Sequence, residues 1–127
     1  MELCFMKSRW LNYKGVRIFI ADFSNYSGDA DAVQAEADYI IKTLQLEPPD
    51  SVLSVAHVDG TFANEKTMRT LMTLVPITNK YVKNRCTVGV RGFRKHLLAG
   101  FTRLTGRAQF TICDTLDEAF EFLVKNA

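Results

Sequence analysis

A chain of 127 residues is long enough to bury one substantial core and too short for two ordinary domains, so a single domain over residues 1–127 is expected. With 47% hydrophobic and 24% charged residues its composition is globular, and a formal charge of +2 is too small to name a nucleic acid or a membrane surface as partner. The opening MELCFM lacks a basic lead, and no apolar run approaches the ~20 residues of a membrane span, which points to a cytoplasmic protein without signal peptide or membrane span.

In chain order, Lys7 to Asn12 and Val16 to Asp22 flank the turn Tyr13-Lys14-Gly15 and read as a hairpin, with Gly15 at a position needing positive φ. VRIFIAD is almost continuously apolar, as in a strand covered on both faces. After the polar loop Ser24 to Gly28, Asp29 or Asp31 can cap a helix whose stripe is Val33, Ala37, Ile40, Ile41 and Leu44, and Pro48 and Pro49 end it. Ser51 to His57 is the next buried strand, running into the turn Val58 to Thr61.

A second helix is expected from Asn64, with Met68, Leu71, Met72 and Val75 at helical spacing. Pro76 falls inside that pattern and predicts a kink or a stop near Leu74. Cys86 to Val90 reads as a strand, Phe93 to Leu104 as a helix stopped by Gly106, Gln109 to Cys113 as a strand, and Thr115 onward as a helix with Leu116, Ala119, Phe120, Leu123 and Val124 inward. Thr115 and Glu118 match a capping box. The order β, β, α, β, α, β, α, β, α defines an α/β fold: a mixed, mostly parallel sheet of four to five strands with an opening antiparallel hairpin, flanked by about four helices.

Cys4, Cys86 and Cys113 are odd in number and widely spaced, which reads as reduced thiols. His57 and His96 have no second ligand at a metal-like offset, so no metal is expected, and no glycine pattern marks a nucleotide cofactor. No serine stands in a nucleophile elbow and no histidine has an evident acid partner, which argues against hydrolase chemistry.

Charge is unevenly spread. From Lys66 through Arg107 every formally charged side chain is basic, whereas Asp22 to Glu65 is acidic apart from Lys42. The two halves either neutralise one another across the fold or leave a basic surface for an anionic partner. The local candidate for an anion or ligand contact is the strand-to-helix junction Arg91, Gly92, Arg94 and Lys95, where free backbone N–H groups would join basic side chains. Phe93 and Phe101 fall on an apolar face, so the aromatic interleaving is better explained as core and no nucleic acid is expected. The second candidate is the turn and helix start Asp59, Gly60, Thr61, Asn64, Glu65 and Thr67, at the carboxyl end of a central strand, where open α/β sheets place ligands and contacts.

The stretches RWLNYKGVRIFIADFSN, SVLSVAHVDGTFANEKTMRTL, YVKNRCTVGVRGFRKHLLAGFTRLTGR and CDTLDEAFEFLV together resemble the STAS class, more closely its SpoIIAA-like bacterial members with a CRAL-TRIO-like topology. The resemblance implies a non-enzymatic regulatory module that acts through a protein partner, or a carrier or sensor of a small anionic or lipid-like ligand held by Arg91, Arg94 or Lys95. It carries no cofactor and is compatible with a homo-oligomer. STAS switch proteins bear an Asp-Ser-Ser-Gly-like phosphoacceptor motif, and the matching region here, Ala63 to Thr67, has no serine. Thr67 or Thr61 would be the substitute acceptor.

Overall fold

The computed structural model describes residues 6–61, 64–89 and 111–127. Its elements are β1 (Arg9–Tyr13), β2 (Val16–Asp22), α1 (Ala30–Leu44), β3 (Val52–His57), α2 (Glu65–Thr78), β4 (Val82–Val88), β5 (Thr111–Cys113) and α3 (Leu116–Lys125). The five strands form one sheet in the order β1-β2-β3-β4-β5, with β1 antiparallel to β2 and all other pairs parallel. The mixed α/β architecture is the expected one, with three helices among the described residues. The helix expected between Phe93 and Leu104 lies outside them.

The alternation of side chains along each strand divides the core. Phe19 and Ala21 of β2 join Val52 of β3 and the inward faces of α1 and α2 in one cluster. Ile18 and Ile20 join Leu53, Val55, Cys86 and Val88 beneath α3 in the other. β2 is therefore apolar at successive positions because each face of the sheet is covered. α1 and α2 share one face, as two crossovers of the same hand produce when a sheet grows in one direction.

Local chemistry explains most boundaries. Lys14 (φ 51°) and Gly15 (φ 81°) make the two-residue hairpin turn with positive φ at both positions. Tyr13 thus belongs to β1, not to the turn. Asp29 caps α1 by accepting the Ala32 N–H at 3.0 Å, and Asn64 caps α2 by accepting that of Thr67 at 2.8 Å. At α3 the Thr115 hydroxyl accepts the Glu118 N–H, while the Glu118 carboxylate reaches back to the N–H of Asp114, one residue before the cap.

Two expectations are corrected. Of the kink or stop expected at Pro76, the stop is excluded, since α2 runs through Pro76 to Thr78. Pro76 lies on the exposed side, while Val75 and Thr78 are buried, so tertiary packing holds the last turn. β4 begins at Val82, four residues before Cys86, because Val52 and Leu53 of β3 pair with Val82 and Asn84.

Candidate functional site

The carboxyl ends of β2, β3 and β4 carry the turn at Asp59. Parallel pairing continues past the strands: the N–H of Phe23 donates to the His57 carbonyl (2.7 Å), Asn25 to Asp59 (2.7 Å), Ser27 to Gly60 (3.0 Å) and Val58 to Val88 (2.9 Å). Gly60 (φ 77°) and Gly89 (φ 85°) occupy conformations that side chains resist. A Cβ on Gly89 would also lie 2.6 Å from the backbone N of Asp59. The turn is therefore a fixed relief, locked from both sides.

Asp59, Gly60 and Glu65 are exposed and Asn64 partly so, which makes them available to a partner. Thr61 and Thr67 are not. The Thr61 hydroxyl is buried, donates to the Phe23 carbonyl and accepts the Tyr26 N–H at 3.0 Å. Thr67 has no exposed surface, and its Oγ1 has no hydrogen-bond partner among the described residues. Both side chains are buried, and neither hydroxyl can reach an incoming kinase in the folded chain.

The starts of α1 and α2 lie side by side, tied by a hydrogen bond from Asn64 Nδ2 to the Gly28 carbonyl at 3.2 Å, and an open groove between them is lined by Gly28, Asp29, Asp31, Asn64, Glu65 and Lys66. Two positive helix ends would favour an anion. Here Asp29, Asp31 and Glu65 already occupy those ends and outnumber Lys66 in the groove, and Asp59 is exposed on the adjoining turn, so the face is acidic on balance. Its electrostatic complement is cationic.

Beside this face is a buried polar network. Glu36 is fully buried and accepts the N–H groups of Lys7 (3.3 Å) and Ser8 (2.9 Å) and the hydroxyl of Tyr26. Burial and that bond to Glu36 push the Tyr26 phenol well above its usual range. Asp22 receives the N–H and hydroxyl of Ser24 and the guanidinium of Arg9 (3.0 Å), with the Lys7 ammonium at 3.8 Å and His57 Nδ1 at 3.9 Å. Burial opposes the Asp22 charge, but these donors outweigh it and hold the carboxyl below its ordinary value. Sequence reading missed Glu36. The signal was there: it falls between Val33 and Ile40 on the apolar stripe of α1, where a charge must have partners.

Arg85 was missed as well, standing one residue before the expected strand. In β4 it faces α1 and α2 and lines a small cavity with Phe23, Ile40, Leu74, Thr78 and Thr87. Nη2 donates to Thr78 Oγ1 at 2.8 Å and Nη1 to Asn79 Oδ1 at 3.3 Å, both neutral acceptors. Burial lowers the Arg85 pKa to about 10, which leaves the group protonated at neutral pH.

Arg91, Gly92, Arg94 and Lys95, the expected anion or ligand contact, lie outside the described residues. Among the described residues the acidic segment is met by Lys7, Arg9 and Arg17, and of the basic segment only Arg69 forms an ion pair, with Glu65 of its own helix. There, then, the two halves of the charge pattern do not neutralise one another across the fold. Among the described residues no helix is long and apolar enough to cross a membrane, and no group of three or more potential ligands is placed to hold a metal ion. No protein-family model matches the chain, and no curated protein matches it.

Proposed function

We propose that the chain is a non-enzymatic, STAS-like interaction module that binds a protein partner through the acidic face at the carboxyl end of its sheet. The observation that carries this reading is the cluster of Asp29, Asp31 and Glu65 around one groove, three carboxylates against the single cation Lys66, beside a turn that exposes Asp59 and whose backbone is pinned by hydrogen bonds and two left-handed glycines. A pre-formed surface loses little conformational entropy on association. Its sign selects a partner presenting lysine or arginine.

The phosphoswitch of STAS regulators is not part of this proposal, because the hydroxyls of Thr61 and Thr67 are buried. The acidic side chains supply permanently the charge that a phosphate would add.

The test compares wild-type protein with a D31K/E65K variant as bait in quantitative affinity capture from the source cell. A partner held by wild type and lost by the variant, at equal melting temperature, is the expected result. Equal capture by both proteins would remove the acidic face from consideration.

A further inference from the structure

The cavity at Arg85 has a composition that structure alone does not require. Its walls are almost wholly apolar, from Phe23, Ile40, Leu74 and their neighbours, yet a guanidinium and the hydroxyl of Thr87 stand in it. Thr87 is 1% exposed and its Oγ1 has no hydrogen-bond partner among the described residues. Arg85 is bonded only to the neutral oxygens of Thr78 and Asn79 among the described residues. Outside those residues the only acidic side chain is Glu2. A half-buried guanidinium set against apolar walls normally has a carboxylate beside it, and a buried hydroxyl normally has a partner.

We infer that this cavity binds a small monocarboxylate with a short apolar body, its carboxylate accepting hydrogen bonds from Arg85 and Thr87 and its alkyl group lying against the apolar walls. Arg85 and Thr87 are alternate residues of β4, so both rise from the same face of the sheet, roughly 7 Å apart along the strand. The planar fork of arginine matches a carboxylate, and such charge-assisted bonds strengthen away from water. Inorganic anions would leave the walls uncovered.

Size narrows the class further. The cavity has a volume of about 40 Å³, enough for on the order of three water-sized groups. Acetate and propionate come nearest that scale. A fatty acid or a phospholipid does not fit it. The site is separate from the acidic face, so it stands or falls independently of the interaction reading.

The test is a heteronuclear NMR titration of the full chain with sodium propionate, sodium octanoate and sodium chloride at constant ionic strength. Propionate is expected to shift amides of β4 and the end of α2 saturably, with octanoate and chloride giving no such response. R85Q should weaken propionate about tenfold or more, as loss of a charge-assisted contact implies. T87V, which preserves shape, should weaken it several-fold, and A56L, which grows a larger side chain into the cavity from the lining position paired with Thr87, should abolish it. Equal responses to propionate and chloride would overturn the proposal. So would wild-type binding by T87V and A56L, and these two variants decide the matter even if R85Q does not fold.

Discussion

The carboxylate of Glu36, in the middle of α1, accepts the backbone N–H of Ser8 at 2.9 Å, and so anchors the chain entering the sheet to a helix that begins more than twenty residues later. The same group holds the Lys7 N–H and the Tyr26 hydroxyl. Replacing it with alanine strands three buried or half-buried donors. E36A should therefore lose about 2–4 kcal/mol in urea denaturation. A loss below about 0.5 kcal/mol, the range of ordinary surface changes, would show that water serves these donors equally well.

Asp22 gives the protein an acid limit. Its folded pKa is below the unfolded value, so its stabilisation is fully present above the ordinary aspartate pKa of about 3.9 and is lost as pH falls through the folded value. Urea midpoints measured from pH 6 down to pH 2 should fall in the lower part of that range. D22N should be less stable at pH 6 and show a shallower fall. Parallel curves for the two proteins would assign the acid response to other carboxylates.

Two glycines with similar φ should differ sharply in tolerance. Nothing lies within 4 Å of a Cβ built on Gly15, so G15A carries only the cost of a left-handed alanine, about 1–2 kcal/mol. Gly89 meets the Asp59 backbone and adds an overpacking cost of about 1–3 kcal/mol. Thermal melts of the pair should rank G89A well below G15A. The reverse order would mean that the Asp59 turn yields easily.

Thr67 is predicted to be a poor hydroxyl in both senses. T67V removes a buried oxygen without a partner and should leave the protein as stable or stabilise it by about 1 kcal/mol. Intact-mass analysis after exposure of the folded protein to candidate kinases should show no phosphate on Thr67. A phosphate there, with the fold retained, would require α2 to open locally.

The sulfurs of Cys86 and Cys113 lie 3.1 Å apart as thiols. Burial, helped by the neighbouring sulfur, raises the Cys86 pKa far above the usual thiol range. Cys86 is fully buried and Cys113 partly exposed, so iodoacetamide should label Cys113 well before Cys86, read by peptide mass mapping. Equal rates would show that β5 separates readily from β4.

Legibility in the sequence followed periodicity. The apolar run of β2, the stripes of α1 and α3 and the caps at Asp29, Asn64 and Thr115 were readable because each rests on local pattern. Pro76 misled because a local rule met packing: Val75 and Thr78 are buried on either side of a proline that faces solvent. The start of β4 was missed because Lys83, Asn84 and Arg85 look like loop, whereas alternation puts Arg85 over an apolar cavity. At the candidate surface, Asp59 and Glu65 were recognisable by position and charge. That Thr61 and Thr67 turn inward depends on neighbours distant in sequence, such as Phe23, Tyr26 and the helices packed above them, and no local pattern carries it.

The strand order has a consequence for how the protein is made. Because every strand of the sheet pairs with the one before it in sequence, the sheet can lengthen strand by strand as the chain leaves the ribosome, each arrival meeting an edge already in place. The face of Ile18, Ile20, Val55 and Cys86, however, is covered by Phe120 and Leu123 of the last helix. Until translation reaches α3, half of the core is a wet apolar surface, and nascent chains stalled before Leu116 are the species on which a holdase chaperone would act.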